Sequence, residues 1–75
     1  MQKNELLKAV ARIYMELRPS EQRVADLVLN DSAKFNLLST SDVAVIANVS
    51  EATISRLCKS LNLTGIRQLR EVLQT

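Results

Sequence analysis

The sequence predicts an all-α fold: a compact five-helix domain containing a helix-turn-helix. Three observations carry this prediction. Apolar residues recur at spacings of three and four along most of the chain. Gly and Pro occur once each, too few for the tight turns of a many-stranded sheet. The 75 residues are 47% hydrophobic but only 3% aromatic, enough for one small aliphatic core and no second domain.

The first helix is expected over about residues 3–17. Leu6, Val10, Ile13, Tyr14 and Leu17 form its apolar stripe, and Lys3, Lys8, Arg12 and Glu16 fall largely off it. Leu7 and Met15 lie toward another face, as added core or as contact with a second chain. Both, with Tyr14, are read as core first. Arg18-Pro19-Ser20-Glu21 is a break and a restart. Pro19 suits a first helical turn, where its missing N–H has no partner to lose, and Glu21 favours the positive end of the helix dipole. The second helix then runs to about Asn30 with Val24, Ala25, Leu27 and Val28 inward. Residues 32–37 form a short turn or a single helical turn, with Phe35 and Leu37 plugging the core.

Ser39 and Asp42 are spaced as a capping box and open a short third helix, about 40–47. Asn48 ends it, because Asn tolerates the left-handed backbone of a tight turn. Ser50 caps the fourth helix. Ile54, Leu57, Cys58 and Leu61 give it one apolar face, and Thr53, Ser55, Arg56, Lys59 and Ser60 fall on the remaining surface. Asn62 stands at a second left-handed stop. The fifth helix runs from about Gly65 to Gln74, with Ile66, Leu69, Val72 and Leu73 inward and Arg67 and Arg70 outward.

Composition excludes several kinds of chemistry. Without His and with one Cys, the chain alone cannot form a His/Cys zinc site, a Ser-His-Asp triad or a disulfide framework. The eight carboxylates pair with no His and no pocket motif, so no enzyme activity and no cofactor is expected. No apolar run approaches the ~20 residues of a membrane span, and no signal peptide is visible. A lone Cys58 suits a reducing cytoplasm. The net charge of +2 does not by itself argue for nucleic acid, so charge is read by position.

Position is informative between residues 40 and 59. Ala44 is small where two helices would cross, Asn48 forms the turn, and Val49, Ile54 and Leu57 anchor the second helix. This is the pattern of a DNA-binding helix-turn-helix, whose second helix must offer a narrow polar face to the major groove. The expected contacts to double-stranded DNA are Ser39 and Thr40 at the start of the third helix, and Ser50, Glu51, Ala52, Thr53, Ser55, Arg56 and Lys59 on the fourth. Arg67 and Arg70 follow on the fifth. Arg56 can take guanine with two hydrogen bonds or grip a phosphate; its bland alternative is a salt bridge to Glu51 or another acid. Four basic residues against two acidic ones over 43–75 imply weak, salt-sensitive binding by one copy.

Leu17-Arg18-Pro19-Ser20-Glu21, Val24-Ala25, the run from Val49 to Leu61, then Gly65-Ile66 and Leu69, resemble the amino-terminal domain of RpiR-family bacterial transcriptional regulators. The resemblance covers about residues 5–73. It implies an all-helical DNA-binding domain in the bacterial cytoplasm, a homodimer or higher oligomer, and a following sugar isomerase domain that binds a phosphorylated sugar. Asn48 and Asn62 stand where that family usually has Gly, Arg18 where it often has a Thr or Ser cap, and Ile66 where Phe is common. The competing reading is a helical protein-interaction module with no DNA role, its groove taking a partner helix.

Overall fold

The structure, a computed structural model, describes residues 1–75. Its helices are α1 (Lys3–Ile13), α2 (Pro19–Asn30), α3 (Ser32–Leu37), α4 (Thr40–Ala47), α5 (Glu51–Ser60) and α6 (Ile66–Leu73), with a 3-10 turn at Tyr14–Glu16. The all-α class holds, but there are six helices where five were expected. Residues 32–37 form a helix of their own because the Asp31 carboxylate accepts the Lys34 amide at 3.1 Å and caps it.

α2 is the centre of the fold. It packs against α1, α3, α4 and α5, and α6 closes the domain against α1, α3 and α5. Eighteen buried apolar residues form one core, with Phe35, Leu6, Ile54, Leu57 and Leu69 its largest fully buried side chains. The chain ends meet, as the Lys3 amide donates to the Thr75 hydroxyl at 2.8 Å.

Three expectations about the core need correction. The first helix does not run to residue 17. After Ile13 the backbone tightens into the 3-10 turn, held to α2 by the Tyr14 hydroxyl on the Asp26 carboxylate (2.7 Å) and by Gln22 Nε2 on the Tyr14 carbonyl (2.9 Å). The tighter winding changes which side each residue faces, and Met15 is 84% exposed. Leu37 is 88% exposed: residues two apart on a helix do not share a face, and Phe35 takes the inward one. Arg18 occupies the N-cap of α2 without a side-chain cap. The orphan Arg18 amide instead donates to the Glu21 carboxylate, at 3.4 Å.

The two helix stops are alike. Asn48 (φ 58°) and Asn62 (φ 61°) are the positive-φ residues. After α4, the Asn48 and Val49 amides donate to the carbonyls of Val45 (3.1 Å) and Ala44 (2.9 Å). After α5, the Asn62 and Leu63 amides reach Lys59 and Cys58 in the same way, both at 2.9 Å. Each is a Schellman motif, which satisfies the last carbonyls of the helix and lets the chain reverse at once.

Candidate nucleic-acid interface

α4 and α5 are joined by three residues, Asn48 to Ser50, of which Asn48 is left-handed, so the second helix starts beside the first. Ser39 caps α4, its hydroxyl accepting the Asp42 amide at 3.1 Å, and Ser50 caps α5, accepting the Thr53 amide at 3.3 Å. Between them the Ser41 hydroxyl donates to the Glu51 carboxylate at 3.1 Å. The starts of the two helices are thereby tied together. Ser41 was not among the residues expected at the site. Its position in the first turn of α4, opposite a first-turn acid on α5, is the signal that could have found it.

α5 buries Ile54, Leu57 and Cys58 and exposes Glu51, Ala52, Ser55, Arg56, Lys59 and Ser60. Ser39 and Ser50 are also exposed, and Thr40 is half-buried. Thr53 is not on this surface: it is only 3% exposed. It lies one turn before Leu57, on the inward side, and its hydroxyl sits 3.2 Å from Ser50 Oγ while accepting Arg56 Nη2 at 3.1 Å.

Arg56 itself is held from below. Its Nε lies 3.7 Å from Glu21 Oε2, with the Arg side chain 51% exposed and the Glu side chain buried. The acid expected as its bland alternative exists, and it is neither Glu51 nor any other residue of the helix pair. Glu21 shares the stripe of Val24, Ala25 and Val28 on α2, and a carboxylate on an apolar stripe is the sequence signal of a buried partner.

Arg67 is exposed near the start of α6. Arg70 is not outward as expected. Its Nη1 donates to the carbonyls of Phe35 and Asn36, both at 3.1 Å, and its Nη2 to that of Leu38 at 2.6 Å. The guanidinium also stands 5.4 Å from the Phe35 ring centre. Arg70 therefore closes the C-terminal end of α3, and it sits between Ile66 and Leu73 on the inward stripe. Asn36 Nδ2 returns a bond to the Arg70 carbonyl at 3.0 Å.

Two groups are shifted in their titration. Burial pushes the Cys58 thiol up to about 11, so it stays protonated and unreactive at neutral pH. The Tyr14 hydroxyl is raised, chiefly because ionisation would break its bond to Asp26. Neither lies on the exposed face of α5, and no three His, Cys, Asp or Glu side chains converge as a metal site would need.

A helix pair with a three-residue turn, both starts capped and the second helix polar outward, fits what the comparisons return. The family described as "Helix-turn-helix domain, rpiR family" matches residues 4–75. YbbH of Bacillus subtilis, an uncharacterized HTH-type transcriptional regulator, is 38% identical over 64 residues, 85% of this chain and 23% of that protein. HexR of Pseudomonas aeruginosa, also an HTH-type transcriptional regulator, is 31% identical over 65 residues, 87% of this chain and 23% of that protein. This chain thus spans about a quarter of the length of either. The crystal structure of the N-terminal domain of ybbH from Bacillus subtilis superposes with a TM-score of 0.85 at 32% identity, covering 92% of this chain and 84% of that one. The chain belongs to the rpiR family of helix-turn-helix domains.

Proposed function

We propose that this chain is the N-terminal DNA-binding domain of a bacterial transcriptional regulator, acting in the cytoplasm, with α5 as the recognition helix in the major groove. The observation that carries the reading is the pairing of two capped helix starts through Ser41 and Glu51, beside an exposed α5 face of Ser55, Arg56 and Lys59. Helix starts present amides and a positive dipole end to phosphates, and a narrow polar helix face fits the groove. Ser39, Thr40, Ser50, Glu51 and Ala52 frame the entry, Arg56 reaches base edges, and Lys59 and Arg67 hold the backbone. Thr53 and Arg70 act behind this surface.

One such module with a net charge of +2 binds weakly, so two or more copies read half-sites related by symmetry. The relatives are about four times as long as this chain, and the solved neighbour is an N-terminal domain. A following sugar isomerase-type domain would supply pairing and a phosphorylated-sugar effector, and the regulated genes would serve sugar or sugar-phosphate metabolism.

The test is an amide NMR titration with a mixed-sequence duplex at low salt, repeated at higher salt. Shifts centred on residues 50–59, with smaller ones near 39–41 and at residue 67, reversed by salt, are the expected result. Shifts absent from 50–59 would make the helix pair architectural and direct the search to a protein partner.

A further inference from the structure

Arg56 is not a free surface charge. The buried carboxylate of Glu21 faces its Nε at 3.7 Å, and the buried hydroxyl of Thr53 accepts its Nη2 at 3.1 Å. These two groups engage the side of the guanidinium formed by Nε and Nη2. Nη1 and the second proton of Nη2, at the tip, are unengaged, and that pair of donors has the spacing that matches guanine O6 and N7. Glu21 is itself anchored, its other oxygen accepting the Arg18 amide at 3.4 Å. Thr53 is anchored too, within hydrogen-bond reach of Ser50 Oγ.

We infer that Glu21 and Thr53 are specificity-determining positioning residues, which hold Arg56 so that its tip addresses one base pair and not the phosphate backbone. The inference rests on the reading of α5 as the recognition helix. Two effects act together. The hold removes rotamer freedom from a long side chain before DNA arrives, so less is lost on forming the base contact. The Glu21 charge also offsets that of Arg56 toward any phosphate, which weakens sequence-independent binding. A positively charged side chain with no acid behind it would favour the opposite outcome, a tighter grip on all sequences and poorer discrimination. Glu21 lies in α2, outside the helix pair, so a residue that never meets DNA sets what the pair reads.

The experiment uses the 75-residue chain, whose single core and solved neighbouring N-terminal domain mark it as an independent folding unit. A preferred duplex is selected from a random library with the wild-type chain, and binding to it and to a scrambled duplex is measured at one salt concentration. Glu21→Gln keeps the shape and the bond to the Arg18 amide, and Thr53→Val keeps the volume of Thr53. R56A is the reference, and circular dichroism checks each fold. The expected result is a fall of about tenfold in the preferred-to-scrambled ratio for E21Q, the size of one lost base contact. For E21Q scrambled binding should be unchanged or tighter. T53V should relax preference at the same single base pair that R56A relaxes.

If R56A relaxes a base pair while both E21Q and T53V keep the ratio, the inference falls and the recognition-helix reading stands. If E21Q lowers binding to both duplexes equally, Glu21 only supports the fold and the inference again falls. If R56A leaves preference unaltered, or no preferred duplex emerges, the inference falls together with the reading beneath it.

Discussion

Arg70 Nη1 donates to the Phe35 carbonyl at 3.1 Å while its guanidinium carbon stands 5.4 Å from the centre of the Phe35 ring. One side chain on α6 thus satisfies the end of a helix that starts 38 residues earlier and packs on that helix's only buried residue. α3 has six residues, too few to persist without such an anchor.

Arg70→Ala should therefore destabilise the fold by about 2–3 kcal/mol, since three carbonyls lose a charged donor. In a domain of this size that lowers Tm by on the order of 10 °C. R70K should recover only part of the loss, as an ammonium lacks the planar fork. Calorimetry of the two variants is the measurement, and an R70A chain as stable as the wild type would remove the anchor role.

The exposed cations should behave differently from Arg70. Lys59→Ala and Arg67→Ala should weaken binding to all duplexes alike and each reduce the slope of log K against log salt by about 1. R70A, measured well below its Tm, should leave that slope unchanged. An R67A slope equal to that of R70A and the wild type would show that α6 contributes no phosphate contact.

The left-handed stops carry their own cost. Asn48→Ala places a Cβ-bearing residue without a helpful side chain at φ 58° and should cost about 1 kcal/mol. N48G should stay within about 0.5 kcal/mol of the wild type, its relief of strain offset by greater freedom in the unfolded chain. Urea unfolding of both variants decides this; an N48A chain at wild-type stability would mean that the turn relaxes.

Alkaline pH should weaken the fold through Cys58. Below the ordinary thiol value of 9.0, folded and unfolded chains both keep the proton and the contribution is fully present. As pH rises from there to about 11 the unfolded chain ionises first, and stability is lost by up to about 2–3 kcal/mol. Tyr14 acts in the same direction above its ordinary value of 10.0. Urea midpoints across this range should fall more steeply for the wild type than for C58A. Parallel curves would show that the thiol does not contribute.

The legible parts of this chain are those set by short-range bonds. The caps at Ser39 and Ser50 and the stops at Asn48 and Asn62 join groups within five residues of one another, so the sequence displays both partners together. The start of α2 at Pro19 is legible for the same reason. Arg70, Thr53 and Glu21 were harder. Arg70 and Glu21 meet partners 32 to 35 residues away, and surface propensity alone sends a charged residue outward. Each of the three nevertheless lies on its helix's inward side, where position outweighs residue type. The bounds of α3 are legible, but its choice between turn and helix is left open because six residues contain too little periodicity to decide it.

The bond from the Lys3 amide to the Thr75 hydroxyl gives the chain the mechanics of a clasped loop. Tension applied to its two ends falls first on the clasp and on the seam between α1 and α6. Freeing α6 withdraws Arg70, and α3 then loses its brace. Freeing α6 also strips α5 of one packing partner, while α4 and α5 both stay mounted on α2. The seam that joins the two ends of the chain thus also braces the mid-chain helix pair from one side.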